Sequence, residues 1–302
     1  MDGPDPARDL PAGPAADLWE PVLRWYDGHA RDLPWREPGA SAWSVMVSEY
    51  MLQQTPVARV LPVHAAWLER WPRPADLAAE PTGEAVRAWG RLGYPRRALR
   101  LHAAAVAVTE RHGGEVPASY DDLLALPGVG DYTAAAIATF AYGRRHVVLD
   151  TNVRRVHARV LAGQAVPAAS VTRAERDRAA ALLPPDAPTA ATWSVAVMEL
   201  GALVCTARSP DCDACPVAGT CAWRAAGHPA YDGPVRRAQA WDGTDRQCRG
   251  RLLAVLRDAD APVHLSRLDA AWPDPLQRAR CLEGLLTDGL AVRTSDTTVA
   301  LP

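Results

Sequence analysis

The sequence contains no lysine, so all 33 of its basic side chains are arginines. A mechanism that passes through a lysine Schiff base is therefore excluded. Long apolar runs are also absent, which argues against a membrane span and a signal peptide. We therefore expect a protein of the reducing cytoplasm, where clustered cysteines bind metal rather than form disulfides. The formal net charge is only −2, so contact with nucleic acid would depend on local arginine clusters.

Arginine is concentrated in two short stretches of the chain. The first cluster contains Arg91, Arg96, Arg97 and Arg100, and the second contains Arg144, Arg145, Arg154, Arg155 and Arg159. Each could supply phosphate contacts to a nucleic acid. Solvated helix faces would have the same composition, so each cluster alone leaves both interpretations open.

Composition divides the chain into a tail, a helical body and a C-terminal module. Its 302 residues, 48% hydrophobic and 23% charged, suffice for two or three globular domains. Residues 1–17 are rich in proline, glycine and alanine, which predicts disorder, and residues 229–245 have the composition of a linker. Residues 246–302 predict three helices and two short strands, a pattern typical of a small winged-helix-like module.

The most distinctive pattern is a group of four cysteines, Cys205, Cys212, Cys215 and Cys221. Thiolates so close in sequence usually share one metal ion or cluster. Zinc sites usually show two close pairs, whereas here one pair is flanked by single cysteines at six and five intervening residues. The spacing also differs from that of ferredoxins. A zinc site remains an alternative at this point.

A glycine-rich turn, LPGVG, lies upstream between two helical patterns and contains Gly128, Val129 and Gly130. Backbone N–H groups at such a helix start can bind an anion such as a phosphate. A plain tight turn between two helices would look the same.

Together the cysteines and the turn resemble the endonuclease III superfamily of DNA glycosylases, over residues 18–228. The resemblance implies an all-α helix-hairpin-helix DNA glycosylase fold: a six-helix barrel domain (41–147) and a cluster-bearing helical domain (18–40 and 148–228). It also implies that the four cysteines hold a [4Fe–4S] cluster. The hairpin is then expected to grip DNA phosphate without reading base sequence.

The stretch SEYMLQQT places Glu49 on a helix that otherwise looks buried. In isolation, Glu49 would be interpreted as an exposed residue on a helix rim. The string resembles the distinctive motif of adenine DNA glycosylases of the MutY type, in which only the position of Tyr50 varies.

Three further residues resemble the catalytic set of the superfamily. Asp150, which alone would be a plain helix cap, resembles the catalytic aspartate, and Asn152 and Tyr132 are expected to orient the reacting groups. Bifunctional members carry lysine at the position of Tyr132, so the resemblance implies hydrolysis without strand cleavage. We expect apolar surroundings to raise the pKa of Glu49, which then protonates adenine at its N7 edge, while Asp150 stays ionised and stabilises positive charge on the sugar.

The resemblance also assigns binding residues, although each alone would suit an ordinary core or surface position. The adenine pocket is expected to contain Trp35, Arg36, Leu52, Val57 and Glu199. Contacts to the DNA are expected from Gln54, Thr55, Leu92, Tyr94, Gly128, Val129 and Gly130. Among these, Tyr94 resembles the residue that wedges into the base stack.

The sequence departs from the family in two places. Pro95 follows Tyr94 where a second tyrosine is common. Residues from 246 onward are only half the expected size of the Nudix-like C-terminal domain, as in an actinobacterial-like short form without that domain. Recognition of 8-oxoguanine would then be weaker or would rest on Gln54, Thr55, Leu92 and Tyr94.

The predicted function is base excision repair by a monofunctional glycosylase that flips out and removes adenine. Its expected partner is double-stranded DNA with A·8-oxoG or A·G mispairs, bound by a monomer in the cytoplasm at the nucleoid. One alternative is a thymine glycosylase acting on T·G mispairs, because such enzymes also carry tyrosine at the hairpin position. Another is a non-catalytic, cluster-bearing DNA sensor, which would need neither Glu49 nor Asp150.

Overall fold

The computed structural model describes residues 16–233 and 241–302. The predicted disordered tail lies outside this part of the chain except for Ala16 and Asp17, which already belong to the first helix. Part of the predicted linker, residues 234–240, also lies outside it. Within the described ranges, no helix is long and apolar enough to cross a membrane.

The secondary structure is mostly helical, as the sequence predicts. In chain order the helices are α1 (Ala16–His29), a 3-10 helix (Pro34–Arg36), α2 (Ala42–Leu52), α3 (Val57–Arg70), α4 (Pro74–Ala78), α5 (Thr82–Trp89), α6 (Arg96–Arg111), α7 (Tyr120–Leu124), α8 (Asp131–Tyr142), α9 (Thr151–Ala162), α10 (Arg173–Leu182), α11 (Ala187–Leu203), α12 (Ala222–Ala225), α13 (Asp245–Arg257), α14 (Leu265–Asp269) and α15 (Pro275–Thr287). The strands are β1 (Val263–His264), β2 (Val292–Arg293) and β3 (Thr298–Ala300).

The described residues form two compact units. The first, called the cysteine unit here, comprises residues 16–45, 118–124 and 129–233. The second, called the Glu49 unit, comprises residues 46–117, 125–128 and 241–302. Helix α8 therefore belongs with the cysteines, and the C-terminal module belongs to the same unit as Glu49.

Local sequence explains where the helices of the cysteine unit begin and end. Helices α9, α10 and α11 start at Asp150, Thr172 and Asp186, whose side chains accept hydrogen bonds from backbone N–H groups in the first turn. Helices α8 and α9 end at Gly143 and Gly163, both in the left-handed conformation that glycine adopts without strain.

The core of the cysteine unit lies between α1, α9 and α11. Trp19 of α1, Val156 of α9 and Trp193 of α11 are buried in it together with residues of the cysteine loop. The indole Nε1 of Trp19 donates a hydrogen bond of 2.7 Å to the carbonyl oxygen of Leu182, so this large side chain is buried with its polar atom satisfied.

The Glu49 unit is centred on aromatic side chains. Trp67 of α3 makes edge contacts with Trp71 and with Trp89 of α5, at ring distances of 4.7 and 5.8 Å. Helix α2 is buried along nearly its whole length, which agrees with its apolar sequence. Its last turn leads directly to the QQT segment of the predicted motif.

Residues 241–302 form three helices and a small antiparallel sheet in the order β1-β3-β2. Val263 pairs with Val299, and Val292 pairs with Ala300. The helices and the last two strands match the winged-helix-like pattern predicted from the sequence. Strand β1 was not predicted, because its two residues are too few to show an alternating pattern.

Close packing of α11 on α9 depends on Gly201. A Cβ atom at this position would lie 2.7 Å from Cβ of Asn152 and 2.9 Å from its carbonyl oxygen. The fold therefore requires the absence of a side chain here, at a point next to predicted catalytic residues.

We expect Gly201→Ala to lower the free energy of unfolding by about 1–3 kcal/mol, because the added methyl group overpacks the contact between α9 and α11. Gly28→Ala is the matched control, since nothing lies within 4 Å of a Cβ at this exposed position of α1. That substitution should be neutral or stabilise by up to about 1 kcal/mol. Urea denaturation measures both, and equal stability of the two variants would contradict the packing argument.

Candidate active site

Asp150 is fixed at the N-terminus of α9 by two hydrogen bonds. Its Oδ1 accepts a 2.6 Å hydrogen bond from the backbone N–H of Val153, and its Oδ2 accepts one of 2.8 Å from the side-chain amide of Asn152. Burial raises the pKa of Asp150, whereas the N–H groups of Val153 and Asn152 and the charge of Arg155 oppose that rise. The predicted carboxylate is therefore held in one orientation and is only partly exposed to water.

Arg155, one turn further along α9, connects this carboxylate to the cysteine loop. Its Nη2 donates to Oδ1 of Asn152 at 2.7 Å and to the carbonyl oxygen of Gly201 at 2.6 Å. Its Nε donates to the carbonyl oxygen of Cys205 at 2.7 Å. A continuous chain of hydrogen bonds thus runs from Asp150 through Asn152 and Arg155 to the first cysteine.

All four predicted cysteine ligands line one cavity of the cysteine unit. Val156, Val160, Leu200 and Trp223 complete its apolar wall. Arg159 lies at the same cavity, with Nη1 3.4 Å from Sγ of Cys205 and its guanidinium 4.6 Å from the ring centre of Trp223. Its remaining N–H groups donate to loop carbonyls, including that of Thr206 at 2.7 Å.

The donor set of this cavity fits a cationic iron–sulfur centre. Burial, and to a smaller extent the neighbouring cysteines, raise the pKa of Cys215 to about 11. Burial and neighbouring cysteines also raise the pKa of Cys212. Thiols crowded in this way lose their protons only when a bound metal centre compensates the negative charge. When bound there, a [4Fe–4S] cluster cross-links the loop through the four cysteines.

Tyr132 lies in the first turn of α8, two residues after the hairpin glycine Gly130. It packs with Ala135, Ala136 and Val148 in a small apolar cluster. The hairpin itself depends on Gly128, whose φ of +79° favours glycine and whose Cβ would lie 2.7 Å from Cβ of Arg100. The turn therefore requires glycine at position 128.

Glu49 is 5% exposed on α2, next to Ser48 and Tyr50, which are also buried. The burial excludes the interpretation of Glu49 as an exposed rim residue. The hydroxyl group of Tyr50 donates a 2.5 Å hydrogen bond to the carbonyl oxygen of Pro127. Within the Glu49 unit, α2 is thereby attached to the turn that precedes the hairpin glycines.

Arg97 holds the segment that follows Glu49. Its Nη1 donates to the carbonyl oxygens of Tyr50, Met51 and Gln53 at 2.6–3.0 Å, and its Nη2 donates to Oγ1 of Thr55 and to the carbonyl oxygen of Gly93, both at 3.0 Å. Burial lowers the pKa of Arg97 to about 10, so the group stays charged at neutral pH. Arg97 is therefore an internal brace and not a surface contact for phosphate.

Two of the predicted DNA contacts have a strained backbone. Gln54 has φ +57° and Tyr94 has φ +47°, values that residues other than glycine rarely adopt. Thr55 is buried and donates to the carbonyl oxygen of Leu92 at 3.3 Å. Tyr94 is 48% exposed, which leaves its ring available to another molecule.

Of the predicted adenine pocket, Trp35, Arg36 and Glu199 lie in the cysteine unit. Glu199 is fully buried and accepts hydrogen bonds from Arg36 at 3.0 Å and from Arg31 at 2.6 and 2.8 Å. Burial alone would raise the pKa of Glu199, but the bonds from Arg31 and Arg36 outweigh it and lower the pKa to about 2. Leu52 and Val57 are half-buried in the Glu49 unit.

Most arginines of the second sequence cluster also have internal partners. Arg154 pairs with Glu175 at 2.9 Å, and Arg145 donates to the carbonyl oxygen of Pro184 at 2.7 Å. Sequence reasoning missed these roles, as it missed Arg31, because the partners lie many residues away. The only local signal was the spacing of Asn152 and Arg155, which puts them on one face of a helix.

Two known protein families match this chain, one over the region that contains Glu49 and Asp150 and one over the cysteine loop. Residues 47–181 match the HhH-GPD superfamily of base excision DNA repair proteins. Residues 205–221 match the iron-sulfur binding domain of endonuclease III. The four cysteines thus form the [4Fe–4S] site of a helix-hairpin-helix DNA repair protein.

Individual relatives show to which family within this superfamily the chain belongs. It is 55% identical to the adenine DNA glycosylase of Mycobacterium tuberculosis over 93% of this chain and 92% of the relative. It is 34% identical to the thymine/uracil-DNA glycosylase of Pyrobaculum aerophilum over 65% of this chain and 86% of that protein. A solved thermostable thymine-DNA glycosylase has the same fold, with a TM-score of 0.62 and 24% identity over 70% of this chain and 97% of that one. The chain belongs to the MutY-type adenine DNA glycosylase family of base excision repair.

Proposed function

We propose that this protein hydrolyses the N-glycosidic bond of adenine mispaired with 8-oxoguanine or guanine, after flipping the base out of the duplex. The observation that carries the proposal is the fixed, partly buried carboxylate of Asp150, held by Val153 and Asn152. A second buried carboxyl group, Glu49, lies within the family motif. Two carboxyl groups in different environments suit glycoside-like hydrolysis.

In the proposed mechanism Glu49 acts as general acid. Adenine is a poor leaving group as an anion, so protonation at N7 must accompany cleavage of the bond to the sugar. Burial favours the protonated form of a carboxyl group, and a positioned acid contributes about 10²–10⁴-fold to the rate.

Asp150 stabilises the positive charge that develops on the deoxyribose as the bond breaks. Its two oxygens are oriented by the N–H of Val153 and the amide of Asn152, so no reorganisation is needed during the reaction. Tyr132 and Asn152 orient the attacking water. Because the chain has no lysine, water and not a lysine amine adds to the anomeric carbon of the sugar as the protonated adenine leaves.

Recognition of the duplex is assigned to the hairpin and to the segment after Glu49. The backbone of Gly128, Val129 and Gly130 grips a phosphate, and Tyr94 wedges into the base stack with Leu92 beside it. Gln54 and Thr55 approach the base opposite adenine, in a segment that Arg97 holds at the Gln53 carbonyl and the Thr55 hydroxyl. A monomer acting on chromosomal DNA, in the cytoplasm at the nucleoid, fits this chemistry.

A thymine glycosylase acting on T·G mispairs is the second candidate, favoured by Tyr132 at the hairpin position. The lower identity to the thymine/uracil enzyme, 34% against 55% for the adenine enzyme, weighs against it. A non-catalytic DNA sensor would need no buried Glu49 and no hydrogen-bonded Asp150, so these two residues favour an enzyme.

The substrate is tested with four duplexes that carry A·8-oxoG, A·G, A·C or T·G. We expect abasic sites in the first two, and strand breaks only after alkali treatment, because hydrolysis leaves the backbone intact. Gel electrophoresis with and without alkali reads both results. Cleavage of T·G alone would support the second candidate, and breaks before alkali would overturn the monofunctional mechanism.

Glu49→Gln should lower the single-turnover rate of adenine release by at least about 100-fold, because the amide cannot donate the acid's proton. Duplex affinity should stay nearly unchanged, since the side chains are nearly isosteric. The matched control is Glu69→Gln, an exposed position of α3 in the same unit. Normal excision by Glu49→Gln would remove Glu49 from the mechanism.

Glu199→Gln tests the ion pairs of Glu199 with Arg31 and Arg36. Because the pKa of about 2 lies below the ordinary 4.5, ionised Glu199 stabilises the fold above about pH 4.5, and this contribution is lost as the pH falls toward 2. We expect the variant to be less stable by about 2–3 kcal/mol at pH 7, with a smaller difference at about pH 3.5. Unfolding curves of both proteins at each pH measure this, with exposed Glu110→Gln as control. A difference that does not depend on pH would contradict the assignment.

A further inference from the structure

An exposed cluster of one arginine and two aromatic rings lies where the C-terminal module meets Tyr94. The guanidinium carbon of Arg246 lies 5.4 Å from the ring centre of Tyr94 and 5.2 Å from that of Trp241. Both distances are within the range of a cation–π contact. We call Tyr94, Trp241 and Arg246 the aromatic–arginine patch.

Burial of apolar surface does not explain the patch. Tyr94 is 48% and Trp241 51% exposed, and Arg246 is also exposed. Among residues 16–233 and 241–302, no carboxylate forms an ion pair with Arg246. Half-exposed aromatic rings beside an exposed guanidinium group are typical of surfaces that bind nucleic acid by stacking and by phosphate contact.

The patch has a fixed geometry because the module is attached to the rest of the Glu49 unit by buried polar contacts. Nε of Arg257, at the end of α13, donates to the carbonyl oxygen of Val86 at 3.0 Å, and Arg87 donates to the carbonyl oxygen of Arg257. The N–H of Gly83 donates to the carbonyl oxygen of the C-terminal Pro302 at 2.6 Å.

Both α13 and α5 are therefore anchored at this interface within the unit. A Cβ atom at Gly83 would lie only 2.4 Å from the carbonyl oxygen of Pro302. Any side chain at position 83 would therefore clash with the C-terminal segment. Asp288 adds an ion pair with Arg96 at 3.3 Å and a second one with Arg249. Arg246, in the first turn of α13, is held beside Tyr94 by the same attachment.

We propose that Arg246 and Trp241 bind the DNA next to the Tyr94 wedge: Arg246 contacts a backbone phosphate, and Trp241 stacks on a nucleotide that the distorted duplex exposes. This inference rests on the proposed function only in taking Tyr94 as the wedge. It assigns to the C-terminal module a direct part in holding the distorted duplex.

The test measures the affinity of variants for a duplex that contains one A·8-oxoG pair, by fluorescence anisotropy at several salt concentrations. Each variant is made in the Glu49→Gln background so that the probe stays intact. Arg246→Gln should lower the dependence of log K on log salt by about 1, because one phosphate contact is lost. Trp241→Ala should weaken binding by about fivefold or more.

Arg251→Gln is the matched control, because it removes the same charge from an exposed position of the same helix, outside the patch. Arg246→Lys should keep the salt dependence, since the charge remains. Thermal unfolding of every variant separates lost binding from lost folding, and the expected result is an unchanged melting temperature.

Equal affinity and salt dependence of Arg246→Gln and Arg251→Gln would overturn the proposal, and the patch would then belong to another partner, such as a protein. The proposal would also be overturned if a lower melting temperature explained the weaker DNA binding of Arg246→Gln and Trp241→Ala bound the duplex normally. Failure of the proposed function would be seen separately, as absence of adenine release from the A·8-oxoG and A·G duplexes by the protein with Glu49 intact.

Discussion

The guanidinium group of Arg155 is the contact on which the cysteine unit depends. It binds the Cys205 carbonyl, the Gly201 carbonyl and the side chain of Asn152 at the same time. The [4Fe–4S] loop, the end of α11 and the start of α9 therefore meet at one cation. Since Asn152 in turn binds Asp150, a displacement of the loop would be transmitted to the proposed catalytic carboxylate. In the proposed mechanism the cluster loop would therefore act through the position of Asp150, and no step requires electron transfer.

Arginine suits this role for a physical reason that also bears on the absence of lysine. A guanidinium has five N–H donors in a rigid plane and keeps its charge when buried, whereas a lysine amine has three donors at one point and loses its proton more readily. Arg97 joins four backbone carbonyls and the Thr55 hydroxyl, and Arg159 binds three carbonyls around the cysteine loop. A lysine could replace neither side chain without leaving buried carbonyls unpaired.

Local patterns made the helices, the hairpin, the cysteine loop and the cap at Asp150 predictable, because each depends on residues close together in sequence. The arginine clusters were only partly interpretable. The sequence around Arg97 and Arg155 does not differ from that around solvated arginines, and most of the carbonyls they bind lie 44–50 residues away. The two compact units and the attachment of the C-terminal module depend in the same way on distant pairs, such as Gly83 with Pro302.

Several arginines of the two clusters bind groups within the protein, so they are not available to contact DNA phosphates. The net charge is −2, and Arg97, Arg154, Arg155 and Arg159 of the two clusters are occupied by carbonyls or carboxylates. On the proposed function, phosphate contact would then fall to backbone N–H groups at the hairpin and to a few accessible guanidinium groups. A protein with few phosphate contacts has weak non-specific affinity that depends only modestly on salt. Selective binding would then come mainly from stacking and wedging at a distorted base pair, where a mispair is already easier to open than a matched one.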